Sequence, residues 1–245
     1  MLVKQKIKYI QTLGQKKFRE QEGLFIAEGP KLVKELLEAD AIAVKEVYAL
    51  KEWVDNNPVL SANIIITEIS EQELEKISQL ATPNKVLAIV QQYEVSGEIT
   101  TKDSIILALD NIQDPGNLGT IIRIADWFGI KQIVCSLDSA DMYNPKVVQS
   151  TMGSIARVNV FYTDLKEWLG AQKNIPIYAA SLNGENITII KKINEGIIII
   201  GNESKGISDE IMKLAKVRIT IPAKGKAESL NAAVATGIIL SHILL

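Results

Sequence analysis

The sequence predicts an α/β protein in which a mostly parallel sheet, with helices around it, follows a smaller α/β domain. Two observations support this prediction. Continuous runs of isoleucine and valine, such as residues 197–200, alternate with helical stretches along the second half of the chain. Such runs are typical of strands that helices cover on both faces, as in parallel sheets. The chain has 245 residues, 47% of them hydrophobic, which is enough for one large domain or two small ones.

The first part of the chain, residues 1–95, has its own alternation of helical and strand patterns. A basic helix is expected over residues 1–22, and the capping-box pair Ser70 and Glu73 predicts the start of a later helix. The other expected elements are a short strand that Gly29-Pro30 ends, strands at 44–50, 64–67 and 86–91, and helices at 31–39, 51–56 and 70–80. These elements predict a separate amino-terminal domain.

A polar stretch without a periodic pattern, residues 92–103, follows this domain. We place the linker at residues 96–103 and the second domain at residues 104–245. The strands expected there lie near 105–109, 132–136, 157–161, 176–180, 197–201 and 217–221. The helices expected there lie near 117–129, 145–153, 164–170, 208–213 and 229–244. This alternation is typical of a parallel α/β domain.

The net charge, the cysteine and histidine counts and the apolar segments of the sequence exclude several classes of protein and of functional site. The formal net charge of −2 argues against a surface that binds polyanions everywhere. With one cysteine, Cys135, and one histidine, His242, we expect no disulfide, no Cys- or His-rich metal site and no Ser-His-Asp catalysis. The first residues do not form a basic-then-apolar leader, and the longest apolar segment is well short of the ~20 residues that span a bilayer. We therefore expect a cytoplasmic protein that binds no metal.

Positive charge is concentrated at the start of the chain. Against the single acid Glu20, the first twenty positions hold six basic residues: Lys4, Lys6, Lys8, Lys16, Lys17 and Arg19. Such a cluster is typical of a solvated helical face, and it also suits a surface that binds phosphates. The sequence leaves both interpretations open.

Three stretches of the second domain combine a buried strand with a polar loop that contains glycine or proline. The first turns at Asp-Pro-Gly and then presents Asn117 and Arg123 on a helix, and the second, residues 201–206, carries Glu203. Residues 201–206 have the glycine spacing of a P-loop, but Ile207 stands where the lysine must reach the phosphates. No G-x-G-x-x-G follows the first strand of either α/β unit, so a nicotinamide or flavin site has no support.

The third stretch begins with the strand 219–221, which Pro222 ends because proline has no N–H for the ladder. A polar loop follows, and Ser229 or Asn231 can cap the last helix. In order and in their polar residues, the three stretches resemble the three motifs of the SpoU (TrmH-like) family of RNA ribose 2′-O-methyltransferases, in the SPOUT class. The resemblance covers roughly residues 105–245.

The resemblance implies a fold and a cofactor. SpoU enzymes thread the carboxyl-terminal chain through a trefoil knot, whose loops hold S-adenosylmethionine without a metal. Residues 15–35, especially the stretch Phe-Ile-Ala-Glu-Gly-Pro, are similar to the RNA-binding domain that precedes many SpoU enzymes and whose fold is like ribosomal protein L30e. The chain is therefore expected to contain an L30e-like domain and a knotted methyltransferase domain.

The resemblance also implies roles for single residues. The matching positions for catalysis are Arg123, Asn117, Glu203, Ser229 and Asn231. Those for the cofactor are Gly201, Ile221 and Leu230. In the family the arginine contacts an RNA phosphate and helps to activate the 2′-hydroxyl, and Asn117 would orient that arginine or the substrate. Residues 144–154 also resemble a family segment that is expected to shape the substrate side.

For four of these residues a plainer interpretation stays open. Ile221 and Leu230 suit core packing, and Ser229 and Asn231 suit helix capping. The expected function is methyl transfer from S-adenosylmethionine to a ribose 2′-hydroxyl, with ribosomal RNA preferred. The alternatives are a tRNA methyltransferase and a non-catalytic RNA-binding or ribosome-assembly protein. A homodimer is expected through the last helix, residues 231–245, which is apolar nearly all round.

Overall fold

The computed structural model describes residues 1–39, 44–57, 65–94 and 97–245. The chain forms two units. One consists of Met1–Glu94 together with Asp141–Ala156, and the other of Val95–Ala140 together with Arg157–Leu245. We call Asp141–Ala156 the inserted segment, because it packs with the amino-terminal unit although it lies within the second domain of the sequence.

Helices and strands alternate along most of the described chain, except that α2 follows α1, β5 follows β4 and β9 follows β8 without an α-helix between them. The helices are α1 (Lys4–Thr12), α2 (Lys16–Glu22), α3 (Pro30–Glu38), α4 (Lys51–Asp55), α5 (Glu71–Ile77), α6 (Pro115–Trp127), α7 (Pro145–Thr151), α8 (Leu165–Ala171), α9 (Asp209–Met212) and α10 (Ala232–Leu244). The strands are β1 (Leu24–Glu28), β2 (Val44–Ala49), β3 (Ile65–Glu68), β4 (Val86–Gln91), β5 (Ile105–Asp110), β6 (Gln132–Ser136), β7 (Asn159–Thr163), β8 (Ile177–Asn186), β9 (Gly196–Gly201) and β10 (Val217–Thr220).

The strands of the amino-terminal unit form a mixed sheet in the order β1-β4-β2-β3. β4 is antiparallel to β1 and β2, and β2 is parallel to β3. Ile10 and Leu13 pack with Ile77 of α5 and Leu87 of β4 in one apolar cluster, and all four of these side chains are fully buried. The smaller amino-terminal α/β domain that the sequence predicted is therefore confirmed. Residue 64, expected to begin the third strand, and residues 95 and 96, at the expected domain boundary, lie outside the described residues.

The single basic helix expected over residues 1–22 is wrong, because two helices occupy this stretch. α1 ends at Thr12, the chain turns at Gly14, and α2 begins at Lys16. The Arg19 guanidinium donates to the carbonyl of Leu13 at 3.1 Å and to that of Gly14 at 2.8 Å. These carbonyls therefore find partners without a continuing helix.

The predicted capping box at the start of α5 is confirmed. Ser70 Oγ accepts from the Glu73 N–H at 3.3 Å, and the Glu73 carboxylate accepts from the Ser70 N–H at 3.0 Å. α5 ends earlier than predicted, because the next residues turn toward the buried Glu28 instead. The Ser78 hydroxyl donates to the Glu28 carboxylate, and the Gln79 N–H donates to it at 2.7 Å.

The inserted segment packs onto β1 of the amino-terminal unit through α7 and the residues around it. The rings of Tyr143 and Phe25 lie 5.0 Å apart between centroids, and the Tyr143 hydroxyl accepts from the Tyr93 N–H at 2.8 Å. Gly153 has φ +99, and a Cβ there would lie 2.8 Å from the Cβ of Glu35. Residues 144–154, expected to shape the substrate side, thus lie in a segment whose contacts hold the amino-terminal unit together.

The second unit contains a six-stranded sheet in the order β10-β8-β9-β5-β6-β7. All of its strand pairs are parallel, and the central strands β5 and β9 are buried along almost their whole length. The isoleucine-rich runs of the sequence therefore form strands covered on both faces, as predicted. The predicted α/β class with a parallel sheet is confirmed, and the trefoil knot stays a prediction.

β8 extends well beyond the strand expected near its beginning, because it pairs with β10 in two registers. Arg218 lies beside Ala179, whereas the next residue, Ile219, lies beside Glu185. Gly184 permits this shift, since a Cβ at that position would lie 2.6 Å from the backbone carbonyl of Arg218. The second half of β8 continues the sheet as far as the end of β10.

Two further sequence expectations concern membrane spans and the single cysteine. In the described ranges, no helix has the length and apolar character needed to cross a membrane. Cys135 is fully buried in β6, and this burial raises the pKa of its thiol. Cys135 therefore behaves as a small hydrophobic residue of the core, as the sequence predicted.

Candidate active site

The first two motif loops leave the sheet at the carboxyl ends of neighbouring parallel strands. The last residues of β5 and β9, Asp110 and Gly201, lie side by side in register. Ligands of open parallel α/β sheets bind outside the carboxyl ends of the strands. The loops after β5 and β9 are therefore in the place where a site is expected.

The loop after β9 is a tight turn. Asn202 and Gly206 exchange two backbone hydrogen bonds of 3.1 and 2.8 Å, and Gly206 has φ +70. The Asn202 side chain donates to the carbonyl of Asn111 at 3.0 Å, which joins this turn to the loop after β5. A Cβ at Gly201 would lie 2.4 Å from backbone atoms of Gly206 and Ile207. Gly201 is therefore required by the turn itself, whatever it contributes to a cofactor.

Side chains from all three motif stretches meet in one hydrogen-bonded chain. Nδ2 of Asn117 donates to the Glu203 carboxylate, and Nδ2 of Asn231 donates to Oδ1 of Asn117 at 2.8 Å. Oδ1 of Asn231 accepts from the N–H groups of Ala233 and Val234, at 3.0 and 3.2 Å, at the start of α10. We call Asn231, Asn117 and Glu203 the amide chain. The structure thus brings together three of the five residues predicted for catalysis.

Local sequence sets the position of Asn117. Asp114 is the N-cap of α6, with its carboxylate accepting from the Asn117 N–H at 2.8 Å, and Pro115 occupies the first turn, where a missing N–H costs nothing. α6 therefore begins before residue 117, where the sequence had predicted its start. Asn117 lies in the first turn of α6, where its amide is directed to Glu203 and Asn231 rather than to Arg123.

Arg123 lies on the exposed face of α6. No hydrogen bond or ion pair joins its guanidinium to another residue in the part of the chain that the structure describes. The neighbouring acid Asp126, which could have paired with it, is 2.9 Å from Arg157 instead. The charge of Arg123 is therefore available to a group from outside the unit, such as a phosphate.

The third motif loop is exposed over residues 222–230. Leu230 is 45% exposed, so the interpretation as core packing is wrong for this residue, whereas Ile221 is half-buried. α10 begins at Ala232 rather than at residue 229, and its N-cap is Asn231. Asn231 thus combines capping with membership of the amide chain, and Ser229 lies in the exposed loop without capping the helix.

The six basic residues at the amino terminus do not all belong to an exposed basic surface. Arg19 is buried, so it does not belong to a basic surface. Lys6 lies 2.7 Å from Glu46, and Lys16 lies 3.6 Å from Glu20. The residues left as exposed cations without a described ion pair are Lys4, Lys8 and Lys17.

Sequence reasoning missed the support that Asp110 supplies at the end of β5. Its carboxylate is buried and accepts from the Ser208 N–H at 2.7 Å, which holds the chain that follows the β9 turn. The sequence feature that could have indicated this role of Asp110 is its position as an acidic residue directly after the apolar strand predicted at 105–109. Asp110 also lines a cleft of about 430 Å³ that none of the predicted site residues lines. Within the described residues, no group of three or more His, Cys, Asp or Glu side chains could hold a metal ion.

Comparison with known proteins agrees with this geometry. A sequence model of the SpoU rRNA Methylase family matches residues 104–241, more than half of the chain. The chain belongs to the SpoU rRNA methylase family. A model of the MRM3-like substrate binding domain matches residues 4–88 of this family member. The resemblance that the sequence indicated is therefore confirmed for both parts of the chain.

Individual relatives cover nearly the whole SpoU chain. It is 31% identical over 242 residues to the 23S rRNA (guanosine(2553)-2′-O)-methyltransferase RlmP of Bacillus subtilis, covering 98% of this chain and 96% of the relative. A solved structure from Porphyromonas gingivalis, described as an RNA methyltransferase of the TrmH family, is 34% identical with a TM-score of 0.87 and covers 100% of this chain and 98% of its own. The structure of the AdoMet-bound rRNA methyltransferase from Sinorhizobium meliloti is 29% identical, with a TM-score of 0.85. The match covers 99% of this chain and 95% of that structure's chain.

Proposed function

We propose that this chain transfers the methyl group of S-adenosylmethionine to a ribose 2′-hydroxyl of ribosomal RNA. The amide chain carries the proposal, because it joins polar side chains of all three family motifs. The similar enzyme of Bacillus subtilis is named for 2′-O-methylation of 23S rRNA, and the similar Sinorhizobium meliloti structure is an rRNA methyltransferase with AdoMet bound. Both relatives are matched over almost their full length, which supports the same chemistry here.

Arg123 is proposed to bind the RNA phosphate and to orient the reacting ribose. In the reaction the 2′-oxygen bonds to the methyl carbon, the carbon–sulfur bond breaks, and the hydroxyl proton passes to an acceptor. The reference pKa of arginine is above 12, so an arginine is already protonated near neutral pH and has no lone pair to accept the hydroxyl proton; transfer to a phosphate held by Arg123 is the easier route. The exposed guanidinium, with no ion pair among the described residues, supports this role.

Glu203 and Ser229 are proposed to contact the ribose. One carboxylate oxygen of Glu203 accepts from Asn117, and no other described residue donates to this carboxylate, so its second oxygen can accept from a hydroxyl. Ser229 is a short polar residue in the exposed loop directly before the amide chain residue Asn231. These two residues add hydrogen bonds to the substrate beside the phosphate contact of Arg123.

Gly201, Ile221 and Leu230 are proposed to hold S-adenosylmethionine, which supplies the methyl group on its sulfonium sulfur. Ile221 precedes the loop 222–230 and Leu230 is its last residue; all residues of the loop are exposed, so its C=O groups, and its N–H groups after Pro222, are open to a ligand. Leu230 offers apolar surface beside these groups, which suits an adenine ring. Gly201 lies at the carboxyl end of β9, next to Asp110 of β5. The residues present therefore fit the cofactor.

Residues 1–95 are proposed to bind RNA, residues 96–103 to link, and residues 104–245 to carry out methyl transfer. The match of residues 4–88 to a substrate binding domain supports this division. Exposed Lys4, Lys8 and Lys17 are the cations that suit RNA phosphates. Changing all three to glutamate should weaken RNA binding and reduce its dependence on salt, with cofactor binding unchanged. Unchanged RNA affinity would remove this surface from the proposal.

A homodimer is proposed, with Arg123 of one subunit serving the site of the other. Exposed apolar residues recur along one face of α10 and its C-cap: Val234 is 51%, Ile238 is 40% and the C-cap Leu245 is 70% exposed. Trp127 of the neighbouring α6 is 85% exposed. Large apolar residues that are exposed together indicate an interface. Trp127 follows Arg123 by four residues on the same helix, so an interface there brings Arg123 to a second copy.

Light scattering and subunit mixing test the homodimer. Val234→Glu combined with Ile238→Glu should give a monomer, whereas Leu137→Glu, at an exposed leucine outside both helices, should not. Arg123→Ala and Glu203→Gln proteins should each be inactive and should regain activity when mixed, because one hybrid site contains both native residues. If light scattering shows that the parent protein is a monomer, the homodimer is contradicted. If the mixture of the two variants stays inactive, the proposal that Arg123 of one subunit contributes to the active site of the other is contradicted.

Mapping of 2′-O-methyl groups tests the function. Total RNA from cells with and without the gene should differ at one or a few ribosomal RNA positions, and the purified protein with S-adenosylmethionine should restore them. A difference confined to tRNA would move the substrate to tRNA, and no difference in any RNA would support the non-catalytic alternative. A cytoplasmic location belongs to the same proposal, because ribosomal RNA is the substrate.

A further inference from the structure

We infer that the amide chain has one fixed donor direction, from α10 to Glu203, and that Asn117 and Asn231 are positioning residues that hold the Glu203 carboxylate. This inference rests on the proposed function, since it assigns Glu203 as the group that meets the substrate. It differs from a role in which each of the three side chains contacts the RNA by itself. The groups at the two ends of the amide chain determine its direction.

The α10 end determines the orientation of Asn231. The N–H groups of Ala233 and Val234 can only donate, and they lie 3.0 and 3.2 Å from the Asn231 side chain. The atom that faces them must be the amide oxygen. The amide nitrogen of Asn231 therefore faces Asn117, 2.8 Å from its oxygen.

The Glu203 end determines the orientation of Asn117 independently. An ionised carboxylate can only accept, so the atom of Asn117 that contacts it must be the amide nitrogen. The oxygen of Asn117 then faces Asn231, in agreement with the orientation required from the α10 end. The direction of the hydrogen bond from Asn231 to Asn117 is therefore determined from both ends of the amide chain. If one hydrogen bond of the chain were reversed alone, two acceptors or two donors would face each other at a neighbouring contact.

This fixed direction gives Glu203 a defined geometry. Its contact with Asn117 joins the turn after β9 to the first turn of α6, across 86 positions of sequence. The contact between Asn231 and Asn117 adds the start of α10. One carboxylate oxygen is held in place, and the second is left to a substrate hydroxyl. Substitution of either asparagine should therefore act on turnover through Glu203.

Asn231→Asp is the most informative substitution, because it keeps the cap and removes the donor. The new carboxylate still accepts from the N–H groups of α10, but it presents an acceptor to the Asn117 oxygen. If the Asn117 amide turns over to donate to position 231, its oxygen then faces Glu203. Two acceptors oppose each other in either arrangement, so the substitution should destabilise the fold.

Glu203→Gln should suppress that loss. In the single Glu203→Gln variant, the glutamine oxygen accepts from Asn117 as the carboxylate does. In the double variant Asn231→Asp with Glu203→Gln, the Asn117 amide can turn over, donate to position 231 and accept from the glutamine nitrogen. The two side-chain links then run in the opposite direction, while the N–H groups of α10 still donate to position 231, and every donor faces an acceptor.

Thermal melting of the full-length protein tests the direction without any RNA. Asn231→Asp should lower the melting temperature by roughly 2–8 °C, and the double variant should return close to the value of Glu203→Gln. Asn144→Asp is the matched control, because Asn144 caps α7 at 2.9 Å from the Lys146 N–H and has no second side-chain partner among the described residues. It should melt like the parent protein. Additive losses in the double variant overturn the fixed direction.

Methyl transfer tests the positioning role. At a temperature where all variants are folded, Asn231→Asp should lower kcat by at least about tenfold and leave the KM for S-adenosylmethionine within about twofold. The double variant should regain stability but not turnover, because the carboxylate is absent. Recovery of both together would make the amide chain purely structural and overturn the inference. An inactive parent protein contradicts the proposed function, whereas the melting temperatures judge the direction of the amide chain separately.

Discussion

The guanidinium of Arg19 donates to the carboxylate of Asp141 at 2.5 Å, across 122 positions of sequence. The Arg19 side chain is 2% exposed and that of Asp141 is 19% exposed. Asp141 also accepts from the Tyr143 N–H at 3.0 Å, at the beginning of the inserted segment. This ion pair therefore holds the inserted segment to α2 within the amino-terminal unit.

Replacement of Arg19 by alanine should destabilise the amino-terminal unit by ~3–5 kcal/mol, because it leaves the Asp141 carboxylate without its cation. Lys16→Ala provides the control, since the Lys16 and Glu20 side chains are 63% and 62% exposed. An exposed pair of this kind contributes only ~0–1 kcal/mol. Urea denaturation followed by circular dichroism measures both variants. Equal, small losses would contradict the structural role of Arg19.

Gly201→Ala should lower the free energy of unfolding by ~1–3 kcal/mol or more, because its methyl group would collide with the backbone of Gly206 and Ile207. The loss should appear without any cofactor. Gly225→Ala is the control, since a Cβ there meets no atom within 4 Å, and its effect should stay within ~0.5 kcal/mol. If Gly201→Ala loses cofactor binding at full stability, the glycine serves the ligand rather than the turn.

Glu28→Gln should become more stable relative to the parent protein as the pH rises. Burial raises the pKa of Glu28, although hydrogen bonds from Ser78 and Gln79 oppose the shift. As the pH increases, the unfolded chain loses this proton before the folded protein does, so ionisation of Glu28 lowers the stability of the parent protein. Glutamine keeps both hydrogen bonds, with its oxygen toward the Gln79 N–H and its nitrogen toward the Ser78 hydroxyl.

Denaturation midpoints of the two proteins between about pH 4 and pH 7 measure this difference. The difference should grow in favour of Glu28→Gln across that interval. Glu75→Gln, at an exposed position of α5, is the control and should differ from the parent protein by a small and constant amount. A Glu28→Gln difference that does not change with pH would contradict the effect of burial on this carboxyl group.

Arg123→Ala should abolish methyl transfer and leave the melting temperature and cofactor binding nearly unchanged. The reason is that Arg123 is exposed and makes no ion pair within the described residues, so its loss removes substrate contacts only. Arg123→Lys keeps the charge but loses the planar fork that matches a phosphate, so its turnover should also fall strongly. Single-turnover methyl transfer beside thermal melting measures both effects.

Arg157→Ala is the matched arginine control. Arg157 pairs with Asp126 at 2.9 Å, and its side chain is 43% exposed. A pair this exposed contributes little to stability, and Arg157 has no proposed contact with the substrate, so turnover should remain close to that of the parent protein. Near-normal turnover in Arg123→Ala would instead remove Arg123 from the mechanism and leave Glu203, held in place by Asn117 and Asn231, as the main candidate.

Most strands could be predicted because their signals are local. The strand 86–91 and the strand 132–136 have the bounds that their apolar patterns predicted. Helix ends were less predictable, because they depend on distant partners. α5 ends where Ser78 and Gln79 bind Glu28, about fifty positions earlier in the chain.

The sequence by itself determined the α/β class, the parallel sheet and which residues belong to the three family motifs. Apolar periodicity, capping residues and motif order are properties of neighbouring positions. Only the tertiary structure decided that Arg19 is buried against Asp141 instead of joining the exposed lysines. It alone also decided that Asn117 contacts both Glu203 and Asn231, which lie 86 and 114 positions away. Contacts over such separations depend on how the sheet orders its strands, and no local pattern of residues encodes that order.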